Sequence, residues 1–110
     1  MTIINTHYFF NDLTSAKESE ITYNTKGEAL TLQIEGTGTG MNIQVLGCAD
    51  MASDEFHVLY GLDTAYARSN AITKNGIYSY GIDGISKIKL NVTAITGGKL
   101  TAFAKITSRS

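Results

Sequence analysis

The sequence contains no proline and no tryptophan, a single cysteine, and few charges, with nine Lys and Arg against ten Asp and Glu in 110 residues. Each shortage excludes something. One thiol, Cys48, cannot close an intramolecular disulfide, and its apolar setting, Val45-Leu46-Gly47-Cys48-Ala49, predicts a small packed side chain. The basic residues are scattered and the formal net charge is −1, so there is no field to gather a phosphate backbone and nucleic acid is not an expected partner. No apolar run approaches the ~20 residues that cross a bilayer, and no membrane span is expected. Met1 to His7 has neither the basic start nor the unbroken apolar stretch of a secretory signal, which predicts a protein made in the cytoplasm. Without proline, sheet edges need protection from charge, from bulges or from a partner chain.

What is present is alternation. Hydrophobic residues make up 43% of the chain, enough for one two-layer core, and they recur with period two. From Ser86 to Ile95, Ile88, Leu90, Val92 and Ala94 share one face against Lys87, Lys89, Asn91 and Thr93. After Thr96-Gly97-Gly98, Leu100, Ala102, Ala104 and Ile106 stand opposite Thr101, Phe103, Lys105 and Thr107, which predicts a tight C-terminal hairpin turning on the Gly-Gly pair. Leu30, Leu32 and Ile34, then Met41, Ile43 and Val45, predict two strands joined by the loop Gly36-Thr37-Gly38-Thr39-Gly40. Strand alternation continues beyond that loop, so it does not open a helix and is not a phosphate cradle. Phe56 to Tyr60 and Ile77 to Ile82 are also strand-like.

Short strands about ten residues apart, with turn signals between them, predict an all-β fold: an antiparallel β-sandwich, jelly-roll-like, in a single domain. Residues 1-20 form an N-terminal arm or first strand, and residues 21-110 the sandwich. Asn11 to Glu20 is either a loop or one helical turn, and Leu62 to Lys74 holds either a short strand or a long connection. The apolar run Tyr8-Phe9-Phe10 either pairs into the sheet, the preferred reading, or docks on a neighbouring subunit.

No chemistry-bearing constellation stands out. His7 and His57 are fifty positions apart, far from any zinc or catalytic spacing. No serine lies in a nucleophile elbow, and Cys48 has no neighbouring base. Asp50, Asp54, Glu55 and Asp63 invite a calcium or glycosidase reading, but their spacing fits no calcium loop and solvated loop acids are the better account. Asn91-Val92-Thr93 fits the glycosylation triplet by chance, in mid-strand. No catalytic, cofactor or metal site is expected, and the chain is expected not to be an enzyme. Tyr66 and Phe103 are the aromatics hardest to assign to a core, and each is a candidate interface anchor or sugar-stacking platform.

The run from Asn75 to Ala94, closed by Thr96-Gly97-Gly98-Lys99-Leu100-Thr101-Ala102, resembles the C-terminal half of small β-sandwich modules in tailed-bacteriophage structural proteins. Those modules similarly carry a Gly-x-Tyr strand, a Gly-Ile turn, a Lys-Ile-Lys strand and a Gly-Gly hairpin, and Leu30 to Val45 resembles their preceding strand pair. The resemblance implies a virion component, a head decoration or fibre module or a tail or baseplate part. It would act without cofactor, as a homo-oligomer or on other virion proteins. The alternative is a carbohydrate-binding module that recognises a host cell-surface glycan.

Overall fold

Alternating strands carry one apolar face each, and such faces are stable only when pressed against one another. The computed structural model, which describes residues 1–109, contains eleven strands: β1 (Thr2–Leu13), β2 (Lys17–Glu18), β3 (Thr22–Tyr23), β4 (Ala29–Gly36), β5 (Thr39–Cys48), β6 (His57–Val58), β7 (Gly61–Asp63), β8 (Arg68–Ser69), β9 (Gly76–Gly81), β10 (Lys87–Thr96) and β11 (Leu100–Ser108). They form a larger sheet in the order β1-β11-β4-β9-β7-β8 and a smaller one in the order β2-β10-β5-β6, with β3 also paired to β10. These strands pair antiparallel, and strands neighbouring in the chain repeatedly change sheets, as in a jelly roll.

The core lies between the sheets. Leu30, Leu32 and Ile34 of β4 with Leu100, Ala102, Ala104 and Ile106 of β11 face Met41, Ile43 and Val45 of β5 with Ile88, Leu90 and Val92 of β10, and all are buried. Tyr78, Tyr80 and Ile82 belong to the same core. β4 and β11 pair without interruption from Leu100↔Gly36 to Thr107↔Ala29, so both strands keep their apolar residues on one face.

The predicted C-terminal hairpin is corrected. Gly97 and Gly98 both adopt φ +74°, the conformation such a turn needs, but β10 joins the smaller sheet and β11 the larger. The turn is an arch over the core, not a hairpin within one sheet. Both strands point Leu and Ile inward, and each face is buried only if the two strands stand in opposite layers. The β4–β5 connection makes the same crossing, and the two arches bind each other: Thr37 and Gly38 N–H donate to Lys99 O at 3.0 and 2.9 Å, and Thr39 N–H to Gly97 O at 3.4 Å. A Cβ on Gly98 would lie 2.4 Å from Thr37 O.

The two undecided stretches are resolved. Residues 11–13 continue β1 and Lys17–Glu18 forms β2, so Asn11 to Glu20 holds no helical turn. Leu62 to Lys74 contains the end of β7, all of β8 and a bridge from Ile72 to Ile43. The strand expected from Phe56 to Tyr60 shortens to His57–Val58.

Lys87, placed by alternation on the polar face of β10, is only 4% exposed. Residues 49–56 fold back over that face, where Lys87 Nζ donates to Ser53 O and lies 3.7 Å from Asp54 Oδ1. Period two gives the side of the sheet; it does not say whether a loop covers it.

Candidate interaction surface

The outer face of the larger sheet is set by register. Tyr8 of β1 stands opposite Phe103 of β11, Phe103 opposite Gln33 of β4, and Gln33 opposite Ile77 of β9, making one row across four strands. Tyr8 is 57% and Ile77 45% exposed, and Phe103 is half-buried. The Tyr8 and Phe103 rings meet edge to face, 5.3 Å between centroids at 65°. In the adjacent row, Thr6, Lys105, Thr31, Ser79 and the exposed Leu62 stand side by side. On the other side of the aromatic row Thr101 pairs with Glu35.

The register also separates the three neighbouring aromatics of β1. Tyr8 points out, Phe10 opposite Ala102 is buried in the core, and Phe9 is the extra residue of a bulge between them. Phe9 packs against the core margin, with its ring 4.6 Å from His7. β1 has two further bulges, between Ile3 and Asn5 and between Phe10 and Leu13, where Asp12 adopts φ 59°. The edge that lacks proline is thus interrupted three times, and the other edges are strands of two residues.

Beside β1 lies a cleft of about 400 Å³ lined by His7 to Phe10 and Lys17 to Thr22. His7 Nε2 is 2.8 Å from Thr22 Oγ1, bridging the larger sheet to the smaller, while its buried Nδ1 has no partner. Burial holds the His7 pKa below the usual histidine value.

At the opposite end of the larger sheet, a shallow trough of about 530 Å³ is lined by residues that include Glu28, Tyr60, Arg68, Ser79, Gly81 and Arg109. The Arg68 guanidinium stacks on Tyr60 at 4.2 Å, and Glu28 Oε1 accepts the Arg109 N–H at 2.8 Å. Tyr66 is outside this trough, 83% exposed at the β7–β8 turn with φ 64°. β4, β9 and β7 separate it from Phe103, so the two cannot form one stacking platform.

The remaining candidates are dispersed. His57 is exposed, 3.8 Å from Glu55. Asp63 Oδ1 accepts from Ala65 and Ala67 N–H at 2.8 and 3.0 Å, and Asp50 Oδ1 from Ala52 N–H at 2.9 Å, so both carboxylates close local turns. Among the described residues no three His, Cys, Asp or Glu side chains cluster as metal ligands would. Cys48 is buried, its thiol 3.2 Å from Asp50 O. Asn91 to Thr93 lies within β10.

Sequence reasoning missed Asn24. Its buried amide Nδ2 donates to Ile85 O at 2.9 Å and Gly27 O at 3.2 Å, and its Oδ1 accepts the Gly27 N–H at 2.8 Å. This side chain ties the loop before β4 to the turn after β9. A lone Asn before Thr-Lys-Gly carries no signal of a partner sixty positions on.

Two solved structures share the architecture. The SPBc2 prophage-derived protein YomS superposes with a TM-score of 0.81 at 21% identity, over 94% of this chain and 92% of YomS. The PBSX exported protein XepA superposes with a TM-score of 0.85 at 17% identity over 93% of this chain, which spans 37% of XepA. No family model matches the chain, and no curated protein sequence does. At these identities the likeness is one of fold: the chain is an all-β sandwich of the kind found in two phage-derived proteins.

Proposed function

We propose that the chain is a bacteriophage structural module that joins the virion and acts through protein–protein contacts, without catalysis or cofactor. The observation that carries this reading is the match to YomS, a prophage-derived protein that is sandwich over nearly its whole length, as this chain is. The bare row of the larger sheet adds to it, because exposed Tyr8, Ile77 and Leu62 beside the half-buried Phe103 make an apolar patch on a rigid sheet, of the kind that marks protein contacts.

Mass spectrometry of gradient-purified particles from the phage that encodes the chain tests this. The chain is expected in the particle band, in stoichiometric amounts. Recovery only as free protein in the medium, with none on the particle, would overturn the reading. Turnover of activated esters or glycosides above background by the purified protein would overturn its non-catalytic part.

A second reading, glycan recognition, draws on the trough beside Tyr60. Its lining joins the Tyr60 ring to the Arg68 guanidinium, with that of Arg109 3.8 Å from Glu28, and suits a sugar carrying an anionic group. Retention on an array of acidic cell-surface glycans that is lost in Arg68→Ala would support it, and a blank array would remove it.

A further inference from the structure

We infer that the inner face of the larger sheet carries, at its β7–β8 end, a binding site for a neutral hydroxylated ligand, with Asp63 and Tyr80 as its hydrogen-bonding groups. The site lies on the other face of the sheet from Arg68 and takes uncharged ligands, so it stands whether or not the glycan reading of the trough does.

The register builds the site. Ser79 of β9 stands opposite Leu62 of β7 and both are exposed, so their neighbours Tyr78, Tyr80, Gly61 and Asp63 turn to the inner face. Asp63 lies between Tyr78, its partner on β9, and Ala67, whose carbonyl accepts the Asp63 N–H at 3.1 Å. Gly61 lies between Ser69 of β8 and the Tyr80 ring. Residues 71–74 are tied to the smaller sheet where Ile72 and Ile43 exchange N–H···O bonds of 2.8 and 2.9 Å. Between these strands and that segment is a cavity of about 120 Å³. It has room for roughly four water-sized groups.

Tyr80 is the residue that asks for a ligand. It is only 5% exposed, yet its hydroxyl has no hydrogen-bond partner among the described residues. Nor is that oxygen sealed from solvent, since among the described residues only His7 Nδ1 is both sealed and unpartnered. The ring edge lies against Gly61, where a Cβ would come within 2.4 Å of it, so the missing side chain at Gly61 lets the phenol reach across β7 into the cavity.

The other groups define the ligand. Asp63 Oδ1 is held by Ala65 and Ala67 N–H, and the second carboxylate oxygen is unpartnered. Tyr78 Oη donates to Lys74 O at 2.7 Å and keeps its lone pairs. An anion would meet the Asp63 carboxylate, and a cation would meet Lys74, which lines the same cavity without pairing to Asp63. A divalent metal ion needs several hard oxygen ligands, and the lining offers one carboxylate. An apolar group would leave Asp63 and Tyr80 unpaired. What fits is neutral and rich in O–H groups: each hydroxyl of a vicinal pair can give its proton to Asp63 Oδ2 or Tyr78 Oη and accept one from Tyr80 Oη. The volume limits the occupant to a short polyol or one edge of a sugar ring.

Amide chemical shifts of isotope-labelled protein, titrated with glycerol and with the methyl glycosides of glucose, galactose and mannose, test the site. Saturable shifts at Gly61, Ala67 and Ala71 are expected with at least one of these, at a dissociation constant on the order of millimolar. A glycoside that binds at least about tenfold tighter than glycerol identifies a glycan end as the source, and the converse identifies a free polyol. Tyr80→Phe should weaken binding about fivefold and leave the urea midpoint unchanged, because the hydroxyl it removes bonds to nothing in the chain. Asp63→Asn, which keeps an oxygen for Ala65 and Ala67 N–H, should weaken binding about tenfold. No saturable shift up to about 100 mM of any of these compounds would overturn the inference. Binding indifferent to both variants would also overturn it, as would methylammonium or acetate binding more tightly than every polyol.

Discussion

Lys87 and Lys105 occupy equivalent places in the sequence, each a lysine on the non-core side of a long strand, and the fold treats them oppositely. Lys87 is buried beneath residues 49–56, with a backbone carbonyl and an aromatic ring as neighbours; Lys105 is half-exposed on a face that no segment of the chain crosses. The two outer faces of the sandwich are therefore different surfaces. One is finished by its own loop, while the other is left open, with Tyr8, Ile77 and Leu62 on it. This asymmetry can be attacked from several directions.

The largest effect is expected where both sheets are disturbed at once. The arch at Gly97–Gly98 joins them, and a methyl at Gly98 would meet the backbone of Thr37 in the other arch at 2.4 Å. Gly98→Ala is expected to cost about 3 kcal/mol or more, from overpacking added to a positive φ. Gly97 has the same φ with open space around it, and Gly97→Ala should cost only about 1–2 kcal/mol. Urea denaturation of the pair separates close approach from backbone strain. Equal losses would mean that the arches are not packed together.

The second effect addresses the asymmetry itself. Lys87→Ala is expected to lose about 2–3 kcal/mol, because it removes a charge-assisted hydrogen bond and the stem that fills the space under residues 49–56. Lys105→Ala, measured on dilute protein so that association does not contribute, should stay within about 0.5 kcal/mol. Comparable losses at the two sites would remove the distinction between covered and open faces.

That distinction marks the limit of what the sequence discloses. Alternation placed Leu30, Leu32, Ile34, Met41, Ile43, Val45, Ile88, Leu90, Val92, Leu100, Ala102, Ala104 and Ile106 on inward faces, and all are buried, whereas Ala94, placed with them, is only half-buried beyond a register shift after Val92. Period two reports which side of a strand is apolar, and burial follows directly from that. The same pattern cannot say which strand lies beside which. A Gly-Gly turn between two such runs is equally compatible with a hairpin and with an arch, and the choice depends on β4 and β5, sixty residues upstream. Nor does alternation survive bulges, so Phe9 and Phe10 could not be assigned to faces without the register of β1 on β11. Tyr8 and Phe103, ninety-five positions apart, meet only through that register. Asn24 is a further case, because every partner of its side chain is a backbone group of a loop or turn.

The third effect tests how the open face is held to the rest. His7 bridges the larger sheet to Thr22 of β3, and burial lowers its pKa. The folded state therefore prefers the neutral ring. At high pH both states are neutral and there is no penalty. As pH falls below the unfolded value of about 6.5, the unfolded chain takes up the proton first and stability declines, until the folded-state pKa is passed. Lys17, Glu18 and Glu20 line the same cleft. Urea midpoints are expected to fall further between pH 7.5 and 5 for the intact protein than for His7→Gln. Identical pH profiles would show that the ring is not the titrating tie.

The smallest effect concerns the aromatic pair at the centre of the open face. If Tyr8 and Phe103 are placed there for a partner, their contribution to the isolated fold should be modest, because Tyr8 remains largely exposed and the rings touch only edge to face. Tyr8→Ala, Phe103→Ala and the double variant form a cycle, and the coupling is expected at about 0.5–1 kcal/mol, the lower part of the range for aromatic pairs. The same variants should weaken recovery on phage particles far more than they weaken folding, since a ring that is half open in the single chain has area still to bury. A coupling well above that range with association unchanged would turn the comparison around. The pair would then be a clasp holding β1 to β11, and the open face would owe its aromatics to the fold alone.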